Sequence, residues 1–457
     1  VVDVKTNQEE IFAKDFVAIL LHHKRANNYK VKGKVLLENS IMPGEVKLNV
    51  FNCSFLDEVD FTSDYLKEIF FIGCEFQNRL LISGKQHNYI KIFQCKFLKH
   101  LAFKKTESKK IEIDECFIEN SISTQLQEFI CEYFYFRKNS SLNDIFIKPD
   151  KISDLVVIEG SEKHYLITYS GFDISQPLKE LLLVTYSNYR TDYLIRTFSA
   201  DKLQIIGELK DSILNVNNCR LNHGILQNFI NQGVLIFNSI KALSDSAVIV
   251  LKDSLIGKAQ INNTDFTEFK KVIFSSSNIL ELVPVNIKWC LHGKLESKDK
   301  ESLKENYRQL KIVATKNDDI ESKLFFHRLE MITLLQIHKK AKSKFNDMLI
   351  LKTNYWSNDF GLSWIKALYW FIGISILFYT TIKIILGERY FNQSLIFDEI
   401  GRFLIFINPI HQFDKVFNID PLTQNTNGAL LCDGLSKIFG AYIIYQFISS
   451  FRKYSRK

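Results

Sequence analysis

The sequence predicts a β-solenoid with about 21 residues per coil, followed by a helical hairpin and a two-span α-helical membrane segment. Three observations carry this expectation. Cys53, Cys74, Cys95 and Cys116 recur at one constant interval. Apolar and polar residues alternate around each of them with the period of a strand. Two long apolar stretches then stand in the last hundred residues or so.

Composition fits such an architecture. The 457 residues are 46% hydrophobic and 24% charged, enough to bury cores in two or three domains. With 6 Pro and 18 Gly the chain is not a disordered linker, and its 38 Phe require burial. Val1 opens the sequence, and the first residues do not read as a signal peptide. The eight cysteines contain no C-x-x-C pair, which argues against a disulfide framework and against a zinc or redox site.

Taken in order, residues 1–29 contain the helix-like "QEEIFAKDFVAILLHHKRA" and are expected to cap the first coil, whose edge is otherwise an open strand template. The adjacent His22 and His23 diverge on a helix and do not suggest a metal site. Residues 30–295 are read as an interrupted β-solenoid. Five residues before each regular Cys stand Leu48, Ile69, Ile90 and Ile111, and three before it Val50, Phe71, Ile92 and Ile113. Two after it come Phe55, Phe76, Phe97 and Ile118, and six after it Val59, Leu80, Leu101 and Ile122. Three short alternating runs per repeat imply three faces, and coils stacked at about 4.8 Å turn equivalent residues into ladders. Each Cys should point inward as a small, inert, polarizable filler. Asp57, Glu58 and Glu75 should lie on an exposed face. Downstream, Cys219 is framed by Leu214, Val216, Leu221 and Ile225 at the same offsets. Leu235, Phe237, Ile240 and Ala242 repeat the pattern, as do Ala259, Ile261, Thr264 and Phe266. Between about Gln125 and Ile213 strand-like runs persist while the spacing drifts.

Residues 296–350 read as a helical hairpin. Leu303, Tyr307 and Leu310 form one stripe, a polar break follows at Asn317–Asp319, and Ile320, Leu324, Met331 and Leu335 form another. His327 and Glu330 share a helix face in a packing or solvated role. Residues 351–457 read as a two-span membrane hairpin with an extracytoplasmic loop at 387–434. The first span, Leu362–Leu386, holds sixteen uncharged residues between Lys366 and Lys383. Snorkelling of both lysines, with Trp364 and Trp370 as interface anchors, extends it to about 24 residues. The second is Leu435–Phe451. Within these spans Tyr379, Thr380, Thr381, Tyr442, Tyr445 and Gln446 are polar groups that should face protein or water. The intervening run Arg402–Phe413 is too short to cross. It is expected to pack on the outer surface of the hairpin, and if it dips back into the bilayer, Asn408, Pro409 and His411 become pore or gate candidates.

Charge placement orients the hairpin. Lys339, Lys340, Lys342 and Lys344 precede the first span, and Arg452, Lys453, Arg456 and Lys457 follow the second. The loop holds Glu388, Asp398, Glu399, Asp414, Asp420 and Asp433 against Arg389, Arg402 and Lys415. The positive-inside rule therefore places the solenoid and the C-terminus in the cytoplasm, where thiols stay reduced. Residues 296–457 carry 23 Lys and Arg against 16 Asp and Glu, so the net charge of +8 belongs almost wholly to the membrane segment and does not signal nucleic acid.

The repeats "FNCSF" and "NNTDF" resemble the pentapeptide-repeat and related right-handed β-helix families of bacteria, though most coils here are richer in Phe. "YRQLK", "YWSNDFGLSWIKALYWF", "FINPIHQFD" and "SKIFGAYIIYQFISSFRKY" resemble the C-terminal region of bacterial pentapeptide-repeat membrane proteins. Some of those carry a two-helix, potassium-channel-like tail. The resemblance implies a right-handed parallel β-helix and a bacterial inner-membrane location. Nothing between the spans matches T-V-G-Y-G, so potassium selectivity is not implied.

P-loop, G-x-G-x-x-G, G-x-S-x-G and H-E-x-x-H motifs are missing, so no catalytic residue, cofactor or metal is expected. The expectation is a non-enzymatic, membrane-anchored sensor or interaction scaffold. Its partners would be the bilayer, further copies of itself and a cytoplasmic protein or small-molecule ligand. The alternative is an oligomeric two-span channel or membrane-perturbing effector gated by the solenoid, in signalling or phage defence.

Overall fold

A computed structural model describes residues 8–40, 45–119, 124–171, 177–290, 293–341, 345–387, 396–418 and 427–455. Ile122, Lys342, Lys344, Glu388, Arg389, Asp420, Arg456 and Lys457, named above, lie outside the described residues. The chain forms two compact units, Val1–Lys298 and Asp299–Lys457.

Unit one is a parallel β-solenoid of about twelve coils. Coil length varies: Leu80 stands beside Leu101, whereas the chain makes a longer circuit from Leu166 before it stands beside it again at Asp192. One face stacks Glu9–Phe12, Tyr29–Lys32, Ser54–Phe55, Glu75–Phe76, Lys96–Phe97, Phe117–Ile118 and Ser140–Ser141. The second runs through Val35–Glu38, Val59–Thr62, Leu80 and Leu101, and later through Tyr193, Leu214, Leu235 and Ala259. On the third, Ile69, Ile90, Ile111, Phe134, Val156, Leu181 and Leu203 stand in one row. Long strands such as Leu80–Phe93 and Leu101–Asp114 bend round the corner between the second and third faces.

The cysteine interval has a geometric cause. At the corner between the third and first faces the chain turns through a left-handed residue: Asn52 (φ 49°), Gly73 (65°), Gln94 (52°) and Glu115 (52°). The residue after that turn points inward, and it is Cys53, Cys74, Cys95 or Cys116, each at most 1% exposed. Space at the corner is small, and the thiols sit against carbonyls, Cys95 Sγ lying 3.4 Å from Phe93 O and 3.5 Å from Phe71 O. Beyond Cys116 the corner changes residue but keeps its geometry. Asn139 donates to Ile113 O at 2.7 Å and accepts from the Cys116 amide at 2.9 Å. Ser254 and Ser277, again after left-handed Asp253 and Ser276, donate to the carbonyls of Lys252 and Ser275.

Cys219 stands on a different corner from the four regular cysteines. It pairs with Phe198 and Ile240 between the second and third faces, and Thr264 continues that ladder by accepting from the Ile240 amide. The offsets match because this corner also turns on left-handed residues, among them Asn218, Ser239 and Asn263. Ile225, aligned with the inward Leu101, consequently points outward, and the inward neighbours are Gly224 and Leu226.

Phe55, Phe76 and Phe97 stack face to face, with centroids 5.0 and 5.1 Å apart. Burial of each ring contributes about 1.5–3 kcal/mol. Over the first coil lies α1, Ala13–His23, which follows the strand Glu9–Phe12. Its Phe16, fully buried, meets Phe55 edge-on at 5.3 Å and so closes the end of the phenylalanine stack. In the middle of the solenoid, Gly207 (φ 100°) runs so close to Thr185 that a Cβ would overlap its carbonyl oxygen, a place only glycine can fill.

Unit two is helical. Helices α2, Lys300–Lys316, and α3, Ile320–Ala341, pack together, joined by Asn317–Asp319. Asp299 caps α2 by accepting from the Ser302 amide at 2.7 Å. Four more helices follow: α4, Phe345–Asn358; α5, Trp364–Ile385; α6, Ile396–Ile407; and α7, Phe413–Phe417. The last, α8, covers Asn427–Ser455, starting before the expected second span. Both α5 and α8 are long and apolar enough to cross a membrane.

Candidate functional site

Four of the polar groups singled out in the membrane segment, Tyr379, His411, Tyr442 and Gln446, fall into three hydrogen-bonded clusters inside unit two. An apolar core supports them: Tyr379 and Ile382 of α5, Phe406 of α6, Phe413, Val416 and Phe417 of α7, and Ala429 of α8. The run Arg402–Phe413 is broken at Asn408–Gln412, where Pro409 cannot continue a helix, and both its ends pack into this core.

The first cluster centres on His411. Its Nδ1 lies 2.7 Å from Asn408 O, and its Nε2 2.7 Å from Asp433 Oδ1. Asp433 Oδ2 also meets Lys437 Nζ at 2.7 Å, one turn along α8. Both ring nitrogens thus face oxygen atoms, and Asp433 is held from two sides, by His411 and by Lys437. His411 is 7% and Asp433 4% exposed, so this is an internal tie between the α6–α7 link and α8. Asn408 also accepts from the Ile410 amide at 3.0 Å. The cavity beside His411 and Pro409 measures about 10 Å³, about the space of one water.

The second cluster joins α5 to α6. Lys383, expected to snorkel, is 6% exposed and pairs with Glu399 at 2.7 Å, while the Tyr379 hydroxyl donates to the same carboxylate at 3.0 Å. The third joins α8 to α4. Gln446, 7% exposed, accepts from Asn358 Nδ2 at 2.5 Å and donates to Asn354 Oδ1 at 3.1 Å, and Tyr442 donates to the same oxygen at 3.0 Å. A buried carboxamide with partners on both sides fixes the rotation of one helix against the other.

Other candidates stand apart from these clusters. The Thr380 and Thr381 hydroxyls bond back to Leu377 O within α5. Tyr445 is 64% exposed on α8. Trp364 packs on Phe451 at 5.4 Å, whereas Trp370 is exposed and Lys366 lies 5.5 Å above the Tyr355 ring. Asn354, Asn358, Glu399, Asp433 and Lys437 carry the partner roles that sequence reasoning missed. For four of them the signal was present as i, i+4 polar pairs, Asn354 with Asn358 and Asp433 with Lys437.

Comparison of the chain with family models, with curated proteins and with solved structures finds no match.

Proposed function

We propose that this protein is a membrane-anchored β-solenoid that acts as a sensor or interaction scaffold, with the solenoid and the C-terminus in the cytoplasm of a bacterial cell. The outward faces of the two long helices carry the reading. Ile372, Ile376, Leu377 and Ile384 on α5, and Leu431, Ile438 and Ile448 on α8, are exposed while Lys383, Asp433 and Gln446 turn inward. On α6, Phe397, Ile400 and Leu404 form a further exposed apolar stripe. That inversion of the soluble pattern suits hydrocarbon and leaves an extensive apolar surface in water.

The test is extraction and topology together. Full-length protein should stay in the membrane pellet at alkaline pH. In a Cys432→Ala background, Lys415→Cys should react with an impermeant maleimide in intact cells, and the exposed Lys298→Cys only after lysis. Release into the alkaline supernatant, or labelling of Lys298→Cys from outside, would refute the anchor or its orientation.

The channel alternative has few polar groups left to line a path, because His411, Tyr379 and Gln446 are engaged within one subunit. Tyr445, and the partly exposed Thr380 and Thr381, remain at the surface of the spans. Ion flux through liposomes containing the wild-type chain would favour that alternative.

A further inference from the structure

Several cations on the outer faces of the first coils are paired, as Lys34 is with Asp60 and Arg137 with Glu112 and Asp114. The middle of the second face differs. Ile147 stands beside Tyr169, so Lys148 is followed by Ser170, and Ser170 pairs with Arg196. These three side chains occupy consecutive rungs, about 4.8 Å apart, which puts two long flexible cations within reach of one point between them. Among the described residues no carboxylate pairs with Lys148 or Arg196.

The neighbouring row supplies a second, independent sign. Thr168 stands between Phe146 and Leu194, is 2% exposed, and its Oγ1 is buried with no hydrogen-bond partner. An orphaned hydroxyl is a standing cost that an incoming acceptor removes. Thr168 lines a 260 Å³ pocket together with Gln125, Gln127, Lys148, Ser170 and Arg196. Donors dominate that wall: two cations, two carboxamides and two hydroxyls, with no carboxylate among the described residues.

We infer that this pocket binds the phosphoryl group of a small molecule. Two positive charges match a doubly charged oxyanion, and its several oxygens match the number of donors. The pocket exceeds the volume of a bare phosphate and is walled on one side by Phe146, leaving room for an organic substituent. This supplies a ligand class for the sensor reading, and depends on that reading only for its purpose.

The full chain in dodecyl maltoside, a phosphate-free detergent, is titrated calorimetrically with pyrophosphate and, separately, with dihexanoyl phosphatidate. Saturable binding is expected at low salt and should weaken as salt screens the cations. The exposed pair Lys148→Gln and Arg196→Gln should lower affinity by about tenfold or more while leaving circular dichroism unchanged. Thr168→Val should weaken binding several-fold yet raise the melting temperature of the unliganded chain, opposite signs that a purely structural threonine would not give. Tighter binding of the phosphatidate would assign the phosphoryl group to a lipid headgroup, and tighter binding of pyrophosphate to a soluble compound. No saturable binding of either, or equal binding by the double variant, would overturn the inference. Membrane attachment is not read by this titration, so its failure and that of the anchor remain separable.

Discussion

At the scale of the residue, the solenoid depends on which side chain follows each left-handed turn. A thiol, a carboxamide and a hydroxyl all serve at the same corner, at Cys95, Asn139 and Ser254, because each is small and each can meet a carbonyl. Cys95→Ser should therefore cost no more than about 1 kcal/mol, whereas Cys95→Leu should cost roughly 1–3 kcal/mol by overpacking. Burial pushes the Cys53 thiol up to about 12 and those of Cys74 and Cys95 well above their usual value. Ellman's reagent should accordingly leave these three unmodified until the chain unfolds. The constant cysteine interval was legible because Cys is rare and conspicuous. The continuation through Asn139, Ser254 and Ser277 was not, since those residues also suit any surface turn. Cys219 misled for a related reason: two corners with the same turn give the same local pattern, and only strand pairing separates them.

At the scale of the element, the hydropathy of α5 and the two stripes of the hairpin could be read directly, but the ties between helices could not. Glu330 shows what such a tie does. It sits on α3, 7% exposed, with Lys311 Nζ of α2 at 2.6 Å and His327 Nδ1 at 3.8 Å. Burial alone would raise its pKa, but the neighbouring His327 and the hydrogen bond from Lys311 outweigh it and hold the carboxyl below its ordinary value. A carboxyl with a depressed folded-state pKa binds fewer protons folded than unfolded. Its stabilising contribution is present above the unfolded value of about 4.5 and is lost as pH falls through the folded one. Lys311→Ala should thus destabilise the helical unit by about 1–3 kcal/mol at pH 7 and much less at pH 3. Glu330→Gln should flatten that part of the pH dependence, and denaturant titration followed at 222 nm measures both. A loss equal at both pH values would show that packing, not charge, holds α2 to α3. The helices α6 and α7 escaped the sequence reading because Arg402–Phe413 presents one apolar run whose break, at Asn408 and Pro409, is short.

At the scale of the molecule, the chain divides into two compact units, one built chiefly of strands and the other of helices. In a solenoid each coil is held by its neighbours, so damage at one ladder position spreads along the stack. Replacing Phe76, which stacks on Phe55 and Phe97 and meets Phe71 edge-on at 5.3 Å, removes the middle ring of one contiguous column. Phe76→Ala should cost about 3–5 kcal/mol. Gln446→Leu leaves Asn354 and Asn358 without their partner on α8 and should weaken the helical unit alone, by about 1–3 kcal/mol. Thermal unfolding of the detergent-solubilised chain should then resolve two transitions, one of strand and one of helix character. Phe76→Ala should move only the first, and Gln446→Leu only the second. If either substitution shifts both transitions together, the units share one cooperative fold, and a signal received by the solenoid has a direct energetic route to the spans. If the shifts stay separate, the solenoid is cargo on an anchor, and what it senses must be reported through a partner that touches its surface rather than through the membrane helices.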